Sequence, residues 1–298
     1  MKSRGFIYIS LAVDLLIASS KFVAAGFTGS PAMVSEGVHS IIDALSQLML
    51  IWGIKVSRKQ PDAERPFGYG KELYFWSFIV SLCIFIVGGC ISFYEGVTTF
   101  THASFQGNPI WNYAVLAFAF IFNMVSMVAA LKAFDQQRGR KHFWTAVVNT
   151  KDPSTIIVLL GDVGDLLGLI VAFLGVFIGR LTNHPYYDAI ASMIIGIILI
   201  GISGFLIRES KSLLMGETTS RKTFRAIIKI AEADRAIIKI KKQSSMYMGP
   251  EEILLQLTAV FNDELNTKQI TDAIERVSKN IQTAFPLIKQ IFIEPVVK

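Results

Sequence analysis

The sequence predicts an α-helical membrane protein of six transmembrane helices followed by a small α+β domain, αββαβ in order and ferredoxin-like. Three observations predict it. Apolar residues fill 52% of the 298 positions and charged residues only 17%, a balance far from that of soluble domains. Six apolar runs, roughly 6–27, 31–56, 74–98, 111–133, 155–179 and 186–207, each reach the ~20 residues that a spanning helix needs. After about residue 208 the pattern becomes mixed, charged and amphipathic, which divides the chain into a membrane domain at 1–207 and a cytoplasmic domain at 208–298.

The first run is too long for a removable signal, carries Asp14 and Lys21, and leads directly into the second, so it is expected to stay in the mature protein. Both cysteines, Cys83 and Cys90, fall seven residues apart in the third run. They read as small buried apolar residues, with no bearing on redox compartment. Lys55, Arg58, Lys59, Arg65 and Lys71 stand at and beyond the end of the second run, and Lys132, Arg138, Arg140, Lys141 and Lys151 at the end of the fourth and before the fifth. The connections after runs one and three hold no Lys or Arg, and the one after run five begins with Arg180 alone. By the positive-inside rule both termini are cytoplasmic. The net charge of +6 then belongs to juxtamembrane loops and the tail, and no nucleic-acid partner is expected.

In the tail, Thr219 to Ala233 reads as a helix, and Ala236 to Tyr247 and Glu252 to Phe261 as strands around a Gly249-Pro250 turn. Ile253, Leu255, Leu257, Ala259 and Phe261 alternate along the second strand. Asn266 or Thr267 can cap a second helix that runs to about Ala284 and is closed by Pro286. Lys289 to Glu294 completes the set as a short strand. One sheet covered by two helices follows. So small a layer buries little surface alone, so its sheet is expected to pack on a second copy as a homodimer.

Ionisable residues inside the apolar runs mark the candidate site. His39 and Asp43 stand four apart in the second run, Asp162 and Asp165 three apart in the fifth, and both spacings place the pair on one helix face. With a rise of ~1.5 Å per residue, His39 and Asp43 fall roughly 12 and 18 Å from the outer face if the second run starts near Pro31. Asp162 and Asp165 fall roughly 16 and 12 Å from it in a ~30 Å core. All four meet near the midplane. A carboxylate there costs about 2.5–3.5 kcal/mol on insertion scales, so it is kept where it pairs, protonates or binds a cation. Nitrogen and oxygen donors converging in this way suit a divalent metal such as zinc. Asp14 lies near the same level and reads as a neighbouring partner, a proton carrier, or a partner of Lys21. Small Gly161, Gly164, Gly168 and Gly175 along the fifth run allow close helix packing.

These residues resemble the cation diffusion facilitators, which export zinc and related divalent metals in exchange for protons. The resemblance covers almost the whole chain. It rests on Thr28-Gly-Ser30, Glu36-Gly-Val-His39-Ser-Ile-Ile-Asp43, Arg65-Pro-Phe-Gly-Tyr-Gly-Lys71-Glu72, Leu213-Leu-Met-Gly-Glu217, Gly249-Pro-Glu-Glu252 and Ile291-Phe-Ile-Glu-Pro295. Asp152-Pro-Ser-Thr155 followed by Leu159-Leu-x-Asp162 looks like the branch that contains zinc transporter nine. The resemblance implies two ligands from the second span and two from the fifth, spaced x-x-x-Asp. His39 and Asp43 match. On the fifth span Asp162 matches, but Val158 occupies the preceding ligand position, and Asp165 or a water is the expected substitute.

Arg65 and Tyr69 stand where the family often has loop histidines. The tail has no histidine, and Phe292 stands where Glu294 would have a His partner, so a metal-sensing tail site is not expected. His102, His142 and His184 read as solvated loop residues. The implied function is efflux of a divalent cation, zinc first and manganese, iron or cadmium next, coupled to proton antiport by alternating access. No resident cofactor is expected; partners are the cation, protons, the bilayer and a second copy. In a bacterium the expected location is the plasma membrane. A metal-regulated scaffold or sensor would instead bind metal without flux. No nucleophile and base pair, phosphate loop or second metal cluster accompanies the site, so an enzyme is not expected.

Overall fold

The computed structural model describes residues 5–28, 31–101, 109–139, 142–184 and 186–296, and at some helical positions, His39 among them, the backbone alone. The chain divides into two compact units, one of Met1–Lys55 with Leu73–Lys211, the other of Val56–Glu72 with Ser212–Lys298.

The first unit is helical: α1 (Gly5–Thr28), α2 (Pro31–Val56), α3 (Glu72–Cys83), a π-helical segment (Ile84–Ile91), α4 (Ser92–Thr101), α5 (Pro109–Arg138), α6 (Phe143–Asn149), α7 (Pro153–Thr182) and α8 (Tyr186–Met215). Local chemistry sets the ends. Pro31 and Pro153 open α2 and α7, where a missing N–H costs nothing and φ is already helical. Asp152 caps α7 by accepting from the Ser154 N–H, and Asn183 closes it in the left-handed conformation at φ 59°. Glu72–Thr101, Tyr113–Gln136, Pro153–Thr182 and Tyr186–Met215 are each long and apolar enough to cross a membrane. The unit turns large apolar residues such as Leu16, Ile121, Phe177 and Ile197 outward, while Ser77, Ser126 and Asp162 are buried. That inside-out distribution suits a lipid surround.

Leu50, Ile54, Leu73, Val80, Phe134, Ile157, Val158 and Leu206 form the main core cluster, and α5 packs on both α1 and α7. Helix α8 meets its neighbours through glycines. A Cβ on Gly175 would lie 2.6 Å from Ala191 Cβ, and one on Gly196 would lie 2.7 Å from Phe93 Cβ. Only glycine permits those approaches. Gly164 and Gly168 also face α8, whereas Gly161 meets nothing within 4 Å.

Cys83 is half-buried and Cys90 exposed, both as free thiols, which corrects the expectation that both are buried. The π-helical winding between them bonds i to i+5 and changes the angular step, so a seven-residue spacing no longer keeps one face.

The second unit contains α9 (Arg221–Glu232), β1 (Ile237–Gly249), β2 (Glu252–Phe261), α10 (Thr267–Ala284) and β3 (Ile288–Val296) in a sheet of order β1-β2-β3. Strands β1 and β2 form an antiparallel hairpin that brings Tyr247 opposite Ile253; β2 and β3 run parallel, with Leu257 opposite Ile293, joined through α10. Asn266 and Gln269 form a reciprocal capping box at the start of α10. Leu255, Leu257 and Ala259 of β2 bury one face against Ile227 and Ala231 of α9 and Ala273, Val277 and Ile281 of α10. Phe292 remains exposed on the sheet. The 56–72 segment is held within this unit by close backbone contact: a Cβ on Gly70 would stand 2.3 Å from the Met248 carbonyl oxygen.

Candidate functional site: a carboxylate-lined cavity

Helices α1, α2 and α7 each carry aspartates that are expensive to bury in an apolar unit, and all of them face one place. Asp14, Asp43, Asp162 and Asp165 line a single cavity of about 40 Å³, room for one small ion or one to a few waters. On α7 the i,i+3 spacing puts Asp162 and Asp165 side by side, and Gly161 beside them is also part of the lining. Ile84 and Gly88 of the π-helical segment form another wall.

Asp162 is 4% exposed, and Ser126 of α5 donates its hydroxyl to Asp162 Oδ2 at 2.9 Å. That hydrogen bond fixes one of the two carboxylate oxygens. Asp14 is also buried. Lys21, one of the groups considered as its partner, is buried and donates from Nζ to Ser40 Oγ at 2.9 Å.

The other predicted positions separate clearly. His39 stands on α2 one turn before Asp43, with its side chain outside the described residues. Val158 does not line the cavity; it is 1% exposed and packs in the apolar core with Leu50, Ile54 and Val80. Among the described residues no three His, Cys, Asp or Glu side chains stand close enough to hold one ion. Carboxylates sharing a site without a cation repel one another. The cavity therefore gathers its donors at a common wall without a tight cluster.

Sequence reasoning passed over three polar lining or supporting residues. Ser46 and Gln47 of α2 line the cavity, and Ser126 supports Asp162. Asn123 and Ser126 stand three apart in the apolar fourth run, and the structure buries both.

Outside the helical unit, Tyr69 donates its hydroxyl to Asp62 Oδ2 at 2.5 Å, and Arg65 forms an ion pair with Glu72. The tyrosine hydrogen bond, ahead of the Arg65 backbone N–H, holds the Asp62 carboxyl below its ordinary range. These loop positions carry a hydrogen-bonded turn of oxygen and guanidinium groups. Glu294 accepts from Thr258 Oγ1 at 3.2 Å. His142 and His184 are exposed, and His102 lies outside the described residues.

A family model described as the cation efflux transmembrane domain matches residues 7–215. The mitochondrial proton-coupled zinc antiporter SLC30A9 of Xenopus laevis is 28% identical over 292 residues, covering 95% of this chain and 52% of that one. The chain thus spans about half the length of the SLC30A9 relatives it matches. The manganese efflux system protein MneP of Bacillus subtilis (strain 168) is 26% identical, with 98% of this chain and 95% of that one covered. A solved cadmium form of the MamM CTD covers 26% of this chain and 96% of its own, at TM-score 0.25 and 14% identity.

Proposed function

The chain belongs to the cation efflux family, and from that premise we propose that it is a divalent-cation/proton antiporter working by alternating access. One observation carries the reading: carboxylates from three helices of an apolar, membrane-suited unit line one small cavity. His39, Asp43, Asp162 and Asp165 take the cation, and Asp14 stands by as an exchangeable carboxyl. The ligands must be deprotonated to bind metal, so a cation entering the site releases protons and protonation from the far side discharges it. Six spans carry the motion: α1, α2, the continuous Glu72–Thr101 helix, α5, α7 and α8. Both termini are cytoplasmic, and the C-terminal sheet domain pairs two copies.

Zinc is the first substrate, supported by the imidazole at His39 and by the zinc antiporters among the relatives. A manganese reading has its own support, because every described charged side chain in the cavity is an oxygen donor and MneP matches over almost its full length. Purified protein in proteoliposomes, offered Zn²⁺, Mn²⁺, Fe²⁺ and Cd²⁺ under an imposed proton gradient, decides both points. Saturable uptake of one metal names the substrate. Tight binding with no flux of any metal rejects transport in favour of a sensor or scaffold.

A further inference from the structure

We propose that Gln47 gives its side-chain amide oxygen to the transported cation and sets the preference between oxygen-seeking and softer metals. The inference rests on the transport reading above. Gln47 lines the cavity with the four aspartates. Its Oε1 is fully buried and has no hydrogen-bond partner among the described residues. A buried polar atom of that kind needs an explanation, and the cavity supplies a narrow one. Ionised carboxylates only accept, so Asp43, Asp162 and Asp165 offer an amide oxygen nothing. A cation in the cavity is the complement of them all, and in the metal-free protein a water or a protonated carboxyl takes its place.

Register points the same way. Gln47 follows Asp43 by four residues, as Asp43 follows His39, so the three positions share one face of α2 by register. The position on α7 that would have supplied another ligand is Val158, committed to the apolar core. Gln47 replaces that lost donor from the opposite helix and does so without charge. Amide carbonyls are ligands of hard cations, whereas thioethers select soft ones.

The test compares the protein with three variants of similar size, Gln47→Met, Gln47→Leu and Gln47→Glu, measuring Mn²⁺, Zn²⁺ and Cd²⁺ binding by calorimetry and flux in proteoliposomes. Metal-free melting temperatures show that each variant folds. Loss of a ligand-shell group typically costs 10–100-fold in metal affinity. Gln47→Leu is expected to weaken Mn²⁺ about tenfold or more and Cd²⁺ by about threefold or less. Gln47→Met should raise the ratio of Cd²⁺ to Mn²⁺ affinity further, because it replaces the oxygen with sulfur. Gln47→Glu, which keeps an oxygen donor at that position, should retain Mn²⁺ binding. Equal losses for all three metals, or unchanged ratios in both Gln47→Leu and Gln47→Met where the wild type transports, overturn the inference alone. Absence of metal flux in the wild type overturns the transport reading and this inference with it.

Discussion

Ser126 Oγ donates to Asp162 Oδ2 at 2.9 Å within the apolar unit, and Asp162 has little freedom to turn while that bond holds. Ser126→Ala removes the donor and leaves the carboxylate free to rotate towards its neighbours. Metal affinity is expected to fall about 10-fold with the fold intact, the usual effect of losing a group that orients a ligand; calorimetry beside a melting curve checks it. Asp43→Ala and Asp162→Ala remove proposed ligands outright and should abolish metal-dependent flux, and wild-type rates in either would sink the assignment. Asp165→Asn asks the narrower question. If affinity and metal preference are unchanged, the place of Val158 is filled by something other than Asp165. At this scale the aspartates were legible because a carboxylate in an apolar run is costly and therefore conspicuous. Ser126 and Gln47 were not, because a serine can return its hydroxyl to its own helix, as Ser81 does to the Ser77 carbonyl, and a lone Gln carries no charge to flag it.

Helices α7 and α8 show what their glycines do when each is asked to carry a side chain. A Cβ on Gly175 would meet Ala191 Cβ at 2.6 Å and the Tyr187 carbonyl oxygen at 3.0 Å, whereas one on Gly201 meets nothing within 4 Å. Gly175→Val is expected to force α7 and α8 apart at a cost of about 1–3 kcal/mol, and Gly201→Ala to change stability by less than about 0.5 kcal/mol. Melting temperatures of the two detergent-solubilised variants test the difference. In the sheet domain, Arg276 donates from Nε to Asp234 Oδ2 at 2.7 Å. Those hydrogen bonds, ahead of one from the Ala236 N–H, hold the Asp234 carboxyl below its ordinary range. A depressed folded value means stabilisation present above the unfolded carboxylate pKa of about 3.9 and lost as pH falls through the lower folded value. Asp234→Asn should therefore reduce stability at neutral pH and flatten its decline in acid, read from unfolding of the domain's far-ultraviolet signal between neutral and acid pH. Element ends followed from single residues: Pro31, Pro153 and Asn266 all start helices where local chemistry says they should. The π-helical segment and the short α6 were hidden. Neither carries a composition of its own, since Ile84–Ile91 is an apolar run like any other and α6 is only seven residues long.

The molecule as a whole divides in a way that chain order does not announce, since residues 56–72 belong with 212–298. A change in composition marks where the apolar runs end near residue 208, but a basic stretch between two apolar runs looks like any connecting loop until Gly70 is seen against Met248. What composition does carry is the class of machine: an apolar helical unit with buried carboxylates has few uses that do not involve a cation or a proton. Proton coupling then has a definite sign. In the antiport proposed above, metal and protons compete for the same oxygens, so alkaline conditions favour loading and acid favours discharge. Vesicles with an acidic lumen should take up metal faster than vesicles without a gradient, and a lumenal dye should report alkalinisation in step with uptake. An ionophore that collapses the gradient should slow uptake to the ungraded rate, while Asp162→Ala should abolish both signals together. Uptake that proceeds at full speed with no lumenal pH change would show that metal crosses uncoupled. The carboxylates would then be a binding site through which no proton is exchanged.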